Sequence, residues 1–155
     1  VHTVDRYPWT FYSFNGEQEH DIWNFRRNPS DAVIISIGTN DFTDENRKPT
    51  EKEFVSAYKH LLDVVRSYNP SVPIICVEPV PTMIGPNAAK WTERAVRELK
   101  RQGDDRLHYI SLNKDKPLLD DNEYIGDGTH PTKAGSTKIA NYLLPRIKTI
   151  LSIKG

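Results

Sequence analysis

The chain has 155 residues with 21 Lys+Arg balanced by 21 Asp+Glu, so no net charge draws it onto nucleic acid or an anionic membrane. Its 37% hydrophobic and 27% charged residues make an ordinary globular composition, and the length suits a single domain over 1–155. The longest apolar run, Ala32 to Ile37, is too short to span a bilayer, and the one cysteine, Cys76, excludes an internal disulfide and a cysteine-based zinc site.

Residues 1–30 form an aromatic-rich lead-in: seven of the fifteen aromatics fall there (Tyr7, Trp9, Phe11, Tyr12, Phe14, Trp23 and Phe25), without a helical or strand period. Packing against a sheet edge is the favoured reading over a sugar-stacking platform. Val1 is not methionine and no signal peptide precedes the core. The natural N-terminus is therefore expected to have been removed or to lie outside this sequence. From residue 32 onward the pattern alternates. Ala32 to Ile37 is β-branched, nearly continuous in apolarity and closed by Gly38, which predicts a strand covered on both faces. Thr50 with Glu53 has capping-box spacing and opens a helix with Phe54, Val55, Tyr58, Leu61, Leu62 and Val65 on one stripe, stopped by Asn69-Pro70.

Val72 to Val77 reads as a second buried strand, ended by Pro79, Pro81 and Gly85-Pro86. A helix over 87–102 follows, with Ala88, Trp91, Ala95, Val96 and Leu99 inward, and then a short strand over 107–112. A long polar loop leads to a last helix beginning at Thr132, whose apolar positions include Ile139, Leu143, Leu144 and Ile147, and which Pro145 is expected to kink or interrupt. This alternation predicts an α/β domain built on a parallel sheet.

In such sheets functional groups gather beyond the carboxyl ends of the strands. The first strand ends in Gly38-Thr39-Asn40-Asp41, a tight exit presenting two short polar side chains. Ahead of the last helix stands Asp127-Gly128-Thr129-His130-Pro131. An Asp three residues before a His, across a glycine turn, can accept the imidazole Nδ1–H, fix the tautomer and leave Nε2 as a base. The other histidines, His2, His20, His60 and His108, read as surface or packing residues. Glu17, Glu19, His20 and Asp21 share no face that would hold a metal. Cys76 reads as a buried thiol and Trp91 as helix core.

Gly-x-Asn-Asp after a strand, combined with Asp-x-x-His-Pro before the final helix, resembles the SGNH (GDSL-type) hydrolase superfamily. The likeness extends over residues 20–150. Within the superfamily, Trp23-Asn24-Phe25, Pro29-Ser30-Asp31-Ala32-Val33-Ile34-Ile35 and Gly38-Thr39-Asn40-Asp41-Phe42 look most like carbohydrate esterase family 2. The resemblance implies a three-layer α/β/α fold of SGNH/flavodoxin-like type. It implies that Asn40 helps form an oxyanion hole on a loop shaped by Gly38 and braced by Asp41. It further implies that His130 is the general base, with Asp127 as its orienting partner, and that no cofactor or metal is required. The residues themselves name no compartment, and a secreted or extracellular location is favoured by the carbohydrate-esterase resemblance alone.

The chain departs from that pattern at the nucleophile. The superfamily's serine lies in a Gly-Asp-Ser block at the end of the first strand, well before the Gly-x-Asn-Asp loop, and no Gly-Asp-Ser occurs in the 37 residues ahead of Gly38. Ser13 lacks an elbow glycine, Ser36 is expected inside a buried strand, and Gly16 is a poor match to the family's second, glycine-bearing block. The domain is thus expected to lack its first strand or strands, with a missing N-terminal segment or a partner chain supplying the serine. Two function classes follow. One is a serine esterase removing acetyl or another short acyl group from a carbohydrate or other small ester. The other is an inactive SGNH-fold structural or binding subunit of a larger assembly.

Overall fold

The computed structural model describes residues 24–43, 48–81 and 84–152. Three parallel strands, β1 (Val33–Ile35), β2 (Ile74–Val77) and β3 (Leu107–Ile110), lie in the order β1-β2-β3. The register sets Val33 beside Ile74, and Ile74 beside Leu107. The helices are α1 (Thr39–Thr43), α2 (Glu51–Tyr68), α3 (Asn87–Arg101) and α4 (Lys133–Ser152), with a 3-10 turn at Asp121–Glu123.

The period-two geometry of strands divides the sheet residues between two cores. Ile35, Ile74, Cys76 and Leu107 face α2 and α3, packing with Phe54, Tyr58, Leu62, Ala95 and Val96. Ile75, Val77 and Ile110 face the opposite way, against Tyr142, Leu143, Ile147 and Ile150 of α4. The result is an α/β/α arrangement, helices on both faces of a parallel sheet.

The capping box that opens α2 forms as the spacing predicts. Glu53 N–H donates to Thr50 Oγ1 (3.3 Å), and Thr50 N–H donates to Glu53 Oε2 (2.8 Å). The Thr50 hydroxyl also donates to Glu53 Oε2 (2.7 Å), and this bond, with the one from Thr50 N–H, holds the Glu53 carboxyl below the usual carboxylate range. At the far end, Asn69 N–H and Nδ2–H both donate to Val65 O at 3.0 Å, closing the helix before Pro70.

Three expectations change. The strands are shorter than the apolar runs, because only 33–35, 74–77 and 107–110 hold ladder pairing. β1 is covered on one side alone: its one strand neighbour among the described residues is β2, and Ile34, on the α4 side of the sheet, is 51% exposed. Pro145 does not interrupt α4, which runs unbroken from Lys133 to Ser152. Proline removes one backbone donor, while Tyr142, Leu143, Ile147 and Ile150 on either side of it still pack on the sheet. The aromatic lead-in before Asn24 lies outside the described residues.

Candidate active site

Gly38 turns the chain out of β1 with φ +117°, a conformation that side chains disfavour. Space is the second constraint, since a Cβ there would sit 3.3 Å from Phe54 Cζ and 3.7 Å from Pro79 Cγ. Asp41 N–H then donates to Gly38 O (3.2 Å) as the short helix α1 begins. Phe42, 5% exposed, pins α1 to the scaffold, its ring 5.3 Å from Phe54 and 5.4 Å from Trp91. Trp91 thus serves as packing beneath this loop, as its helical position predicts. Asn40 stands on the exposed side of α1, and its side-chain amide has no hydrogen-bond partner among the described residues.

The second loop is a narrow hairpin bridged at Tyr124 and Pro131. Ile125 N–H donates to His130 O (2.8 Å), Gly128 N–H donates to Ile125 O (2.9 Å), and Gly128 takes φ +65° at the turn. Asp127 organises the interior. Its Oδ1 accepts the backbone N–H of Thr129 (2.8 Å) and of His130 (2.9 Å), and its Oδ2 lies 2.6 Å from His130 Nδ1. The backbone bond from His130, its ring bond and the bond from Thr129 hold the Asp127 carboxyl at a pKa of about 2. An ionised carboxylate can only accept, so the proton of this bond belongs to Nδ1, which makes Nε2 the lone-pair nitrogen of the neutral ring. The imidazole is 73% exposed, and no side chain among the described residues bonds Nε2.

The residues flanking the hairpin lock it to α4. Thr132 Oγ1 accepts Gly135 N–H (3.1 Å) as an N-cap, and Thr132 N–H donates to Glu123 O (2.8 Å). Gly135 is required there, because a Cβ would lie 2.5 Å from Glu123 O. Lys138 Nζ adds a 2.6 Å bond to Glu123 Oε2, which lowers the Glu123 pKa and raises that of Lys138.

Both loops follow carboxyl ends of parallel strands, and both touch the exit of β2. The Gly38 turn abuts Pro79, while Tyr124 Oη donates to Val80 O (3.1 Å) from the hairpin. Between them sits Glu78, which the sequence reading did not single out. Though 8% exposed, its carboxylate accepts from Ser111 Oγ (2.6 Å), Leu112 N–H (2.9 Å), Asn113 N–H (3.1 Å) and Asn113 Nδ2 (3.1 Å). A buried charge with that many donors is satisfied, and here it ties the exits of β2 and β3 together. An acidic residue directly after the four apolar residues of β2 was the available signal.

Ser36 needs correction. It is exposed and lies beyond the last residue of β1 rather than inside a buried strand, because pairing ends at Ile35. Cys76 is fully buried and its thiol is pushed up to about 12 by burial. His60 is exposed, and His108, partly buried on β3, has its pKa lowered by burial and by Lys100. Ser13, Gly16, Glu17, Glu19, Asp21, His2 and His20 lie outside the described residues. Among the described residues no cluster of His, Cys, Asp and Glu could hold a metal, and no helix is long and apolar enough to cross a membrane.

A parallel α/β/α sheet with Gly-x-Asn-Asp after one strand and an Asp-x-x-His hairpin after the last defines the SGNH hydrolase type. The model of the GDSL-like lipase/acylhydrolase family matches residues 6–138, and the chain belongs to that family. A curated relative, the cellulase/esterase CelE of Acetivibrio thermocellus, is 30% identical over 150 residues, covering 96% of this chain and 17% of the relative. A family two carbohydrate esterase from Clostridium thermocellum, solved in complex with cellohexaose, superposes with a TM-score of 0.78 at 28% identity, over 96% of this chain and 43% of that one. A family two carbohydrate esterase from Cellvibrio japonicus shares the fold, with a TM-score of 0.73 at 20% identity, over 96% of this chain and 41% of that one. Within the family the chain is thus most like the family 2 carbohydrate esterases. It spans less than half the length of these relatives.

Proposed function

We propose that the chain forms the base and oxyanion side of a serine esterase that removes acetyl or another short acyl group from a carbohydrate. The observation that carries this reading is the Asp127–His130 pair, bonded at 2.6 Å, with Nε2 bonded to no side chain among the described residues, on a hairpin that reaches Val80 just past β2 while the Gly38 turn abuts Pro79. The likeness to a carbohydrate esterase complexed with cellohexaose supports a sugar ester as substrate.

The chemistry then runs through named groups. A serine Oγ gives its proton to His130 Nε2 and attacks the acyl carbonyl, while Asp127 steadies the imidazolium. The Asn40 amide donates to the oxyanion, and Gly38 and the α1 turn hold that amide in place before charge develops. The imidazolium passes its proton to the departing sugar oxygen, and the same base activates water to release the acid. The nucleophile comes from a segment outside residues 1–155. That segment lies along the edge of β1, which has no strand partner among the described residues and leaves Ile34 half exposed.

The test is hydrolysis of p-nitrophenyl acetate and acetylated xylan by the natural gene product, including whatever precedes Val1. Turnover of both supports the esterase. A correctly folded product that hydrolyses neither points instead to an inactive SGNH-fold binding subunit.

A further inference from the structure

The His130 hairpin is anchored on two sides. Toward α4, Thr132 Oγ1 donates to Glu123 O (3.1 Å) and accepts Gly135 N–H (3.1 Å), while Lys138 Nζ donates to Glu123 Oε2 (2.6 Å) and Asp120 Oδ2 (3.3 Å). These bonds share one task, so the loss of any one of them leaves the base of the hairpin seated. Toward the sheet, Tyr124 Oη donates to Val80 O (3.1 Å), a residue 44 positions earlier in the chain. Burial, with the charges of Asp121 and Glu123, raises the Tyr124 pKa and keeps the phenol protonated as a donor.

The acceptor is held firmly. Pro79 and Pro81 flank Val80 with fixed φ, and a residue that precedes proline has little freedom of its own. The Val80 side chain packs into the core on the α4 side of the sheet. Next to Pro79, Glu78 N–H donates to Ile110 O (2.9 Å), and the Glu78 carboxylate accepts Leu112 N–H (2.9 Å) and Asn113 N–H (3.1 Å). The same segment meets the Asn40 loop, because Pro79 abuts the Gly38 turn two residues before Asn40. Val80 O is thus a fixed mark beside one loop, and Tyr124 sets the other loop against it.

We infer that the Tyr124–Val80 hydrogen bond sets the separation of His130 from the Asn40 amide, which makes Tyr124 a positioning residue of the site. The inference rests on the esterase reading above and adds what aligns its two halves. A base and an oxyanion donor must meet one reacting carbonyl together, and a misplacement of about 1 Å can cost on the order of a hundredfold in rate. The Tyr124 hydroxyl is committed to the Val80 carbonyl, so the residue acts through the hairpin and not on the substrate.

In the natural full-length product, Tyr124→Phe removes the hydroxyl and keeps the ring, while Lys138→Met removes one anchor on the α4 side. Hydrolysis of p-nitrophenyl acetate is followed against pH, well below the melting temperature of either variant. Tyr124→Phe should lower kcat about tenfold with KM unchanged, the mark of a geometry needed only in the transition state. The acid limb of its pH profile should stay in place, because the Asp127–His130 bond is untouched. Lys138→Met should leave kcat unchanged. An unchanged kcat or a shifted acid limb in Tyr124→Phe, or equal losses of kcat in both variants, would overturn the assignment and leave the esterase reading intact. A wild-type product without His130-dependent hydrolysis would defeat both.

Discussion

The two faces of the sheet are unequal. Toward α2 and α3 the core is sealed: Phe54 and Leu62 are 1% exposed, and Tyr58, Val65, Ile74 and Leu107 are at 0%. Toward α4 it is thin. Four residues (Ile75, Val77, Ile110 and Leu112) are buried there, Gly135 is the one buried residue of α4, and Ile34 and Leu144 remain 51% and 52% exposed. The sealed face is scaffold, closed by two βαβ crossovers that are complete in themselves. The thin face borders the edge of β1 that has no strand partner among the described residues, the side to which we assign the proposed serine. Stability and activity should therefore respond to different residues.

The largest effect should come from His130→Ala in the esterase-active product. Rate should fall a thousandfold or more, while the melting temperature moves little, because the ring is 73% exposed and the bond it gives up, to Asp127, lies at the surface. Steady-state kinetics beside a thermal melt separate the two. A matched loss of stability would mean that the hairpin is structural rather than catalytic.

Next, truncation on the two faces should differ in denaturant melts. Leu62→Ala should cost about 2–5 kcal/mol, as burial and the residual cavity require. Leu144→Ala, half exposed, should stay within about 0.5 kcal/mol. If Leu144→Ala proves as costly in the full-length product, another segment covers that helix, which would locate the completing part of the fold.

Much of the scaffold was legible in the sequence, for local reasons. The α2 helix announced itself through Thr50, Glu53 and a continuous stripe ending at Asn69. The Asp127–His130 bond follows from three-residue spacing over a glycine, a contact settled within one turn. Features that depend on distant partners were not legible. The five residues of α1 are too few to show a period, and Phe42 holds them through tertiary contacts with Phe54 and Trp91. Glu78 stood as a strand-ending acid until its donors, more than thirty positions away, came into view. The apolar run ending at Ile37 overstated β1, because ladder pairing and not apolarity sets where a strand stops.

A smaller effect concerns pH. The Asp127 pKa, about 2, lies below its ordinary 3.8, so its contribution to the folded hairpin is present above about pH 3.8 and is lost as pH falls through about 2. The amide resonances of Thr129 and His130, both bonded to its Oδ1, should titrate together with a midpoint near pH 2. A midpoint at the ordinary value would mean that the carboxylate does not hold these bonds in solution.

The central claim is that a serine from beyond residues 1–155 completes the site beside His130. Labelling the natural full-length product with a fluorophosphonate, which traps activated serines, and mapping the modified peptide tests it directly. The account predicts a single labelled serine outside residues 1–155, with labelling abolished by His130→Ala. A label on Ser36 or any other serine within the 155 residues, or no label on a folded product, would contradict it.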